Sequence, residues 1–200
     1  MNRMMKTTGA IALVTCGYLV GTSTSQPELT EQQQREMEQK WMEAMTPGEA
    51  HERIVKSAGT WHAKIRYMMD PAMGWQETEG TMRNTSILGG RWVRQDFEGD
   101  FGGMPYQGLG YIGYDNMTGE YISTWCDNMS TGLMVMKGTY DAANKTYEFK
   151  GEFNDAVMGK GKQRDVVRVL GDDAEVMEMY QTLPGQPERL VMEMTYTRER

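Results

Sequence analysis

A single antiparallel β-barrel is the fold class this sequence predicts, and three observations predict it. From Trp61 onward the apolar residues repeat with a period of two, as in "TWHAKIRY". Gly, Asn and Asp recur at intervals of about ten residues, which is the punctuation of consecutive hairpins. Helical periodicity is confined to the stretch before residue 59.

Residues 1–25 read as a signal peptide, because Arg3 and Lys6 precede an apolar stretch from Ala10 to Val20 and small Ser23 and Ser25 come before Gln26. That stretch is short for a spanning helix, so export to the periplasm or the outside is the expectation, with a lipid anchor at Cys16 in "LVTCG" as the alternative. Only through export or that anchor would the chain meet a membrane. The formal charge is −7, and removing residues 1–25 takes away two bases and no acid, so nucleic acid is excluded as a partner on charge. Cleavage would leave Cys126 as the one cysteine, without an intramolecular disulfide, so packing must supply the stability.

Residues 26–46 form a helical extension. Met37, Trp41 and Met45, four apart, lie on one stripe of a helix over 28–45. The domain proper spans 47–200. "TPGEAHERIVKSAG" predicts a second helix over 47–57, with Thr46 as N-cap, Pro47 at the first position, Glu49 closing a capping box and Gly59 beyond the end. This helix is expected to act as a lid.

About ten strands follow, at 60–69, 75–87, 91–98, 106–114, 120–127, 133–140, 146–153, 163–170, 174–182 and 189–198. Trp61, Ala63, Ile65 and Tyr67 share one face against His62, Lys64 and Arg66, and Tyr147, Phe149 and Phe153 oppose Glu148, Lys150 and Glu152. "GYDNMTGEY" and "TYDAANKTY" repeat one hairpin pattern, a Tyr before an Asp and a second Tyr six residues after it. Asp115 and Asp141 are therefore expected to close turns onto their own backbone, with Gly119 or Asn144 left-handed. The glycines of "LGGRW" are expected at a bend or bulge that curves the sheet.

The segments "GTW", "ETEGTMRNTSILGGRWV", "GLGYIGYDNMTGEYISTWCD", "KGTYDA" and "MTYTR" together resemble the DUF1579 family, whose function is not known. Its members look like lipocalins. The resemblance implies a calycin-type closure in which Gly59 and Trp61 on the first strand meet a basic residue on the last, Arg198, stacked over the indole. The pair would be worth about 0.5 to 2 kcal/mol.

A barrel of this strand number is wide enough to hold a guest, so a small apolar or amphipathic ligand is the expected partner. Its candidate contacts are Arg91, Trp92, Arg94, Asp96, Tyr111, Trp125 and Asp127. Trp92, Arg94 and Asp96 alternate onto one face, where an Arg could anchor a carboxylate head group, unless that face is the solvated one. Two alternatives stand beside this reading: a scaffold whose barrel is filled by its own side chains, and an enzyme using two carboxylates from Asp96, Asp127 and Asp165. No cofactor or metal is expected. The methionines, Met134 and Met136 among them, are spaced for core packing more than for Cu(I), and His51 and His62 form no zinc or haem site. Cys126 has no His beside it and no GxSxG elbow occurs.

Overall fold

The computed structural model describes residues 29–68 and 71–200. The expected signal peptide and Cys16 lie outside the described residues. Ten strands form one closed, antiparallel, up-and-down barrel: β1 (Gly59–Tyr67), β2 (Gln76–Ile87), β3 (Trp92–Phe101), β4 (Met104–Asp115), β5 (Glu120–Asp127), β6 (Met134–Asp141), β7 (Thr146–Asp155), β8 (Gly159–Val169), β9 (Ala174–Thr182) and β10 (Arg189–Arg198). Each strand pairs with its neighbour in the chain, and β1 closes the ring on β10 with Trp61 opposite Arg198. The mainly β barrel expected from the sequence is the fold. Its strands run one to four residues beyond the sequence-derived bounds at several ends, most at β8, which begins at Gly159.

Among the described residues two helices precede the barrel, α1 (Glu31–Met45) and α2 (Glu49–Val55). Thr30 caps α1 with a capping box to Gln33. Thr46 ends α1, where its hydroxyl donates to the Met42 carbonyl; it does not cap α2. The cap of α2 is Gly48, whose N–H donates to His51 Nδ1, so the capping role expected of Thr46 and Glu49 falls to Gly48 and His51. The reason is that Thr46 and Pro47 are used up as the corner between the helices.

Helix α2 lies across one end of the barrel. Ile54 is buried among Val93, Tyr121, Tyr147 and Phe149, and His51 Nε2 sits 3.0 Å from the Tyr114 carbonyl. The Arg53 guanidinium covers the Tyr140 ring at 4.3 Å and donates to the Tyr121 hydroxyl. This is the sealed end. The other end carries the five hairpin connections after β1, β3, β5, β7 and β9, and forms the mouth.

Asp115 and Asp141 accept from the backbone N–H groups of Met117 and Ala143, the turn closure their motifs predict. Gly119 takes the left-handed conformation in the first turn, but in the second it is Lys145 that does so, not Asn144. The glycines of "LGGRW" form a one-turn 3-10 segment, Leu88–Gly90, with all three residues left-handed, and so they make the β2–β3 connection and not a bulge within a strand.

Candidate functional site

Register decides which residues face inward, because residues directly opposite each other on paired strands share a face. Starting from buried Trp61, Ala63 and Ile65, the pairing carries the inward face through Met82, Phe97, Gly108 and Asp127 one way, and through Tyr196, Glu175 and Val169 the other. Farther along the same face come Ser123, Trp125, Met134, Met136, Gln163, Asp165, Met177, Met179, Gln181, Met192 and Met194.

Of the seven residues expected to contact a ligand, Trp125 and Asp127 lie on this inner face. Trp125 Nε1 donates to the Tyr106 hydroxyl at 2.9 Å, and that hydroxyl donates to Asp127 Oδ2 at 3.1 Å. Desolvation pushes the Tyr106 phenol well above its ordinary range, so it stays a neutral donor. Asp127 also accepts from the Met129 N–H and closes the β5–β6 turn, so it joins the wall to the rim of the mouth.

The other five face away from the interior, and here the expectation is corrected. Arg94 and Asp96 alternate with buried Val93 and Phe97 and are paired to each other on the outer wall at 2.6 Å, with Tyr111 opposite Arg94 on that wall. Trp92 lies over Gly113, also outside. The strand alternates as expected, but its apolar residues Val93 and Phe97 carry the inward face. Asp96 is thereby separated by the sheet from Asp127 and Asp165.

Arg91 and Trp92 line an outer cleft of about 380 Å³ with Met45, His51 and Asn116. Arg91 and Asn116 are already engaged there. Arg91 donates to the carbonyls of Met45 and Leu88, and Asn116 Nδ2 to those of Glu43, Ala44 and Thr46, so the cleft's polar groups serve to dock the end of α1.

Inside, the walls are thinned in a regular way. The Trp125 ring lies over Gly108 and Gly110, Phe97 over Gly80 and Gly99, and Phe149 over Gly138, each in the space a Cβ would fill. Rings that lie flat along the sheet project less toward the axis than rings standing upright. The inward residues Ser123, Trp125, Met134, Met177, Met179, Met192 and Met194 all keep accessible surface, whereas Trp61, Ala63, Ile65 and Val93 have 1 % or less. Trp125, Met177, Met192 and Met194 pack against the buried cluster of Trp61, Ile65, Tyr67, Phe97 and Phe101, so this part of the inner face is walled by thioethers and aromatic rings.

At mid-height of this lumen stands Asp165, 3 % exposed, opposite Phe149 on one side and Met179 on the other. Gln163 Nε2 donates to both its oxygens, at 3.1 and 3.3 Å, and Gln181 Nε2 donates to Gln163 Oε1 at 3.2 Å, so a chain of amides runs from the mouth to the carboxylate. Burial pushes the Asp165 carboxyl up to about 7, against which Gln163 and the outward Arg164 pull it down. Burial also raises Glu175, deeper in the lumen, despite Arg198 nearby. Sequence reasoning raised Asp165 only as one of a possible carboxylate pair and missed Glu175; the signal lay in β8, where Arg164 and Arg168 mark the outer face and leave Gln163 and Asp165 for the inner one.

At the sealed end the Arg198 guanidinium lies 4.1 Å over the Trp61 ring and donates to the carbonyls of Lys56, Ala58 and Asp172. Gly59 has φ +139°, and a Cβ there would strike Arg198 Nη1. Trp61 Nε1 donates to the Ser57 carbonyl.

A ten-stranded meander closed on itself, with a helix over one end and a Trp–Arg contact under that helix, places the molecule in the lipocalin-like class of barrels. More particularly, the chain belongs to the DUF1579 family, proteins of unknown function, whose profile matches residues 46–198. No curated protein matches it. Among solved structures it is similar to Rv2717c from M. tuberculosis, with 15% sequence identity and a TM-score of 0.59 over 78% of this chain and 100% of that one. It is also similar to the S-type phycobiliprotein lyase CPES from Guillardia theta, with 11% identity and a TM-score of 0.54 over 80% of this chain and 97% of that one. At these identities the likeness is one of fold.

Proposed function

We propose that this protein is an exported binding protein that takes a small apolar or amphipathic molecule into the lumen through the mouth. The observation that carries the reading is the accessible surface kept by Trp125, Met134, Met177, Met179, Met192 and Met194, all of which point inward. A fully packed interior would leave such side chains with almost none. Methionine walls suit a guest of variable shape, since the thioether chain is flexible and polarizable. Trp125 and Asp127 take part at the wall and rim, and the outer residues Arg91, Trp92, Arg94, Asp96 and Tyr111 do not.

The test is a thermal-shift titration with 1-dodecanol, a neutral amphiphile, on the wild-type protein and on Ser123→Trp, which puts an indole into the lumen from β5. The wild type is expected to gain melting temperature in proportion to the logarithm of ligand concentration, and the variant to gain none. An unmoved wild-type melting point at saturating alcohol would favour the filled scaffold.

A further inference from the structure

The lumen is unevenly charged. Among the described residues, the inward positions of the ten strands carry a base at two levels only. Arg189 stands opposite Gln181 at the mouth, and Arg198 lies at the sealed end, where backbone carbonyls and Trp61 occupy its guanidinium. Between them stand Asp165 and Glu175. Lys150, Lys162, Arg164 and Arg168 alternate with inward residues and belong to the outer wall, where Arg164 and Arg168 are paired with Glu188 and Glu178.

Asp165 is incompletely satisfied. A carboxylate offers about four acceptor positions, and this one receives a single amide group, Gln163 Nε2, with the thioether of Met179 and the ring of Phe149 on its flanks. Burying a carboxylate without a cation is expensive, and the expense is relieved either by a proton or by an incoming positive charge. Among the described residues one other buried side-chain acceptor lacks a donor: Asn84 Oδ1, inward on β2 toward the sealed end, has no hydrogen-bond partner. Anionic head groups find the opposite of what they need.

We infer that the guest is a cationic amphiphile, with a protonated amine that pairs with the Asp165 carboxylate and an apolar body that lies along the methionines and Trp125. This rests on the lumen reading above and narrows its ligand class. The ammonium would supply the donors that Asp165 lacks, and the neighbouring aromatic faces add cation–π attraction. The groups that bear on the Asp165 charge are Gln163 and Arg164 on β8; the Tyr196 phenol on β10, raised first by its own burial, is raised further by the Asp165 charge, while Phe149 and Met179 contribute no charge. Because burial holds the carboxyl near neutrality, affinity for a permanently charged amine rises as pH goes from about 5 to 8.

Calorimetric titration below the micellar range separates the possibilities, with dodecylammonium, 1-dodecanol and dodecanoate as probes of one chain length. The expected result is dodecylammonium bound about tenfold or more tighter than dodecanol, and dodecanoate weakest. Asp165→Asn, which keeps the acceptor for Gln163, is expected to remove that preference, so that dodecylammonium and dodecanol bind about equally; Asp165→Glu is expected to retain it. Dodecanol or dodecanoate binding as well as the amine overturns the inference and leaves the lumen reading standing, as does an Asp165→Asn protein that still prefers the amine. Failure of all three probes to bind overturns both. The wild-type ranking decides the matter even where a variant does not fold.

Discussion

The guanidinium of Arg198 lies 4.1 Å over the indole of Trp61 and at the same time donates to the carbonyls of Lys56 and Ala58, so one side chain joins the last strand, the first strand and the C-terminal end of α2. Those carbonyls belong to the helix end and its exit, where no intrahelical donor remains. Arg198→Ala is expected to destabilise the barrel by about 2 to 4 kcal/mol, the sum of lost charged hydrogen bonds and ring stacking. Arg198→Lys is expected to recover less than half, since an ammonium cannot both stack and fork. Urea denaturation of the three proteins checks this.

Gly108 and Trp125 form a second interlocked pair, with the indole resting where a Cβ would stand. Gly108→Ala alone is expected to cost about 1 to 3 kcal/mol by overpacking. In a Trp125→Ala background the same change is expected to cost nothing. A double-mutant cycle measures the coupling, and additive effects would contradict the proposed overlap.

Asp165 makes stability depend on pH in a defined direction. Its carboxyl titrates near 3.8 when exposed and at about 7 in the fold, so between those values the folded chain holds a proton that the unfolded chain releases. Stability from this group is therefore greatest at about pH 4, falls as pH rises through the window, and is lowest above 7. Asp165→Asn removes the loss: the variant is expected to match the wild type near pH 4 and to exceed it by up to roughly 3 to 4 kcal/mol at pH 8. Glu175, raised by burial too, leaves a residual slope in the variant. Equal gains at both pH values in chemical denaturation would refute the assignment.

The outer pair offers a contrast. Arg94 and Asp96 are 2.6 Å apart with side chains 48% and 33% exposed, so solvent screens them. Arg94→Ala and Asp96→Ala are each expected to shift stability by less than about 0.5 kcal/mol and to leave dodecanol affinity unchanged. A loss of binding in either variant would return these residues to the site.

Much of the barrel was legible because alternation is a local signal: "TWHAKIRY" states both its faces, and the paired Tyr–Asp hairpins state two of the turns. The site was less legible because alternation gives two faces without saying which is inside. In "WVRQDF" both faces carry an aromatic residue, Trp92 on one and Phe97 on the other, and the pairing of Phe97 with buried Met82 is what places the inside. Trp92 stays outside because Gly113 leaves room for its ring there. Asp165 was obscure for a related reason. "QRDVVRV" mixes charge and apolar residues on each face, and its inward parity follows from Phe149 across the hairpin, a relationship between strands that no window within one strand contains.

The pairing of Trp61 with Arg198 also bears on how the chain reaches its final state. The first strand to leave the ribosome waits for the last, and until residue 198 is available the nascent meander has two unsatisfied edges and no seal beneath α2. The other pairings join consecutive strands, so this single long-range pairing is the step whose loop closure slows completion of the native structure.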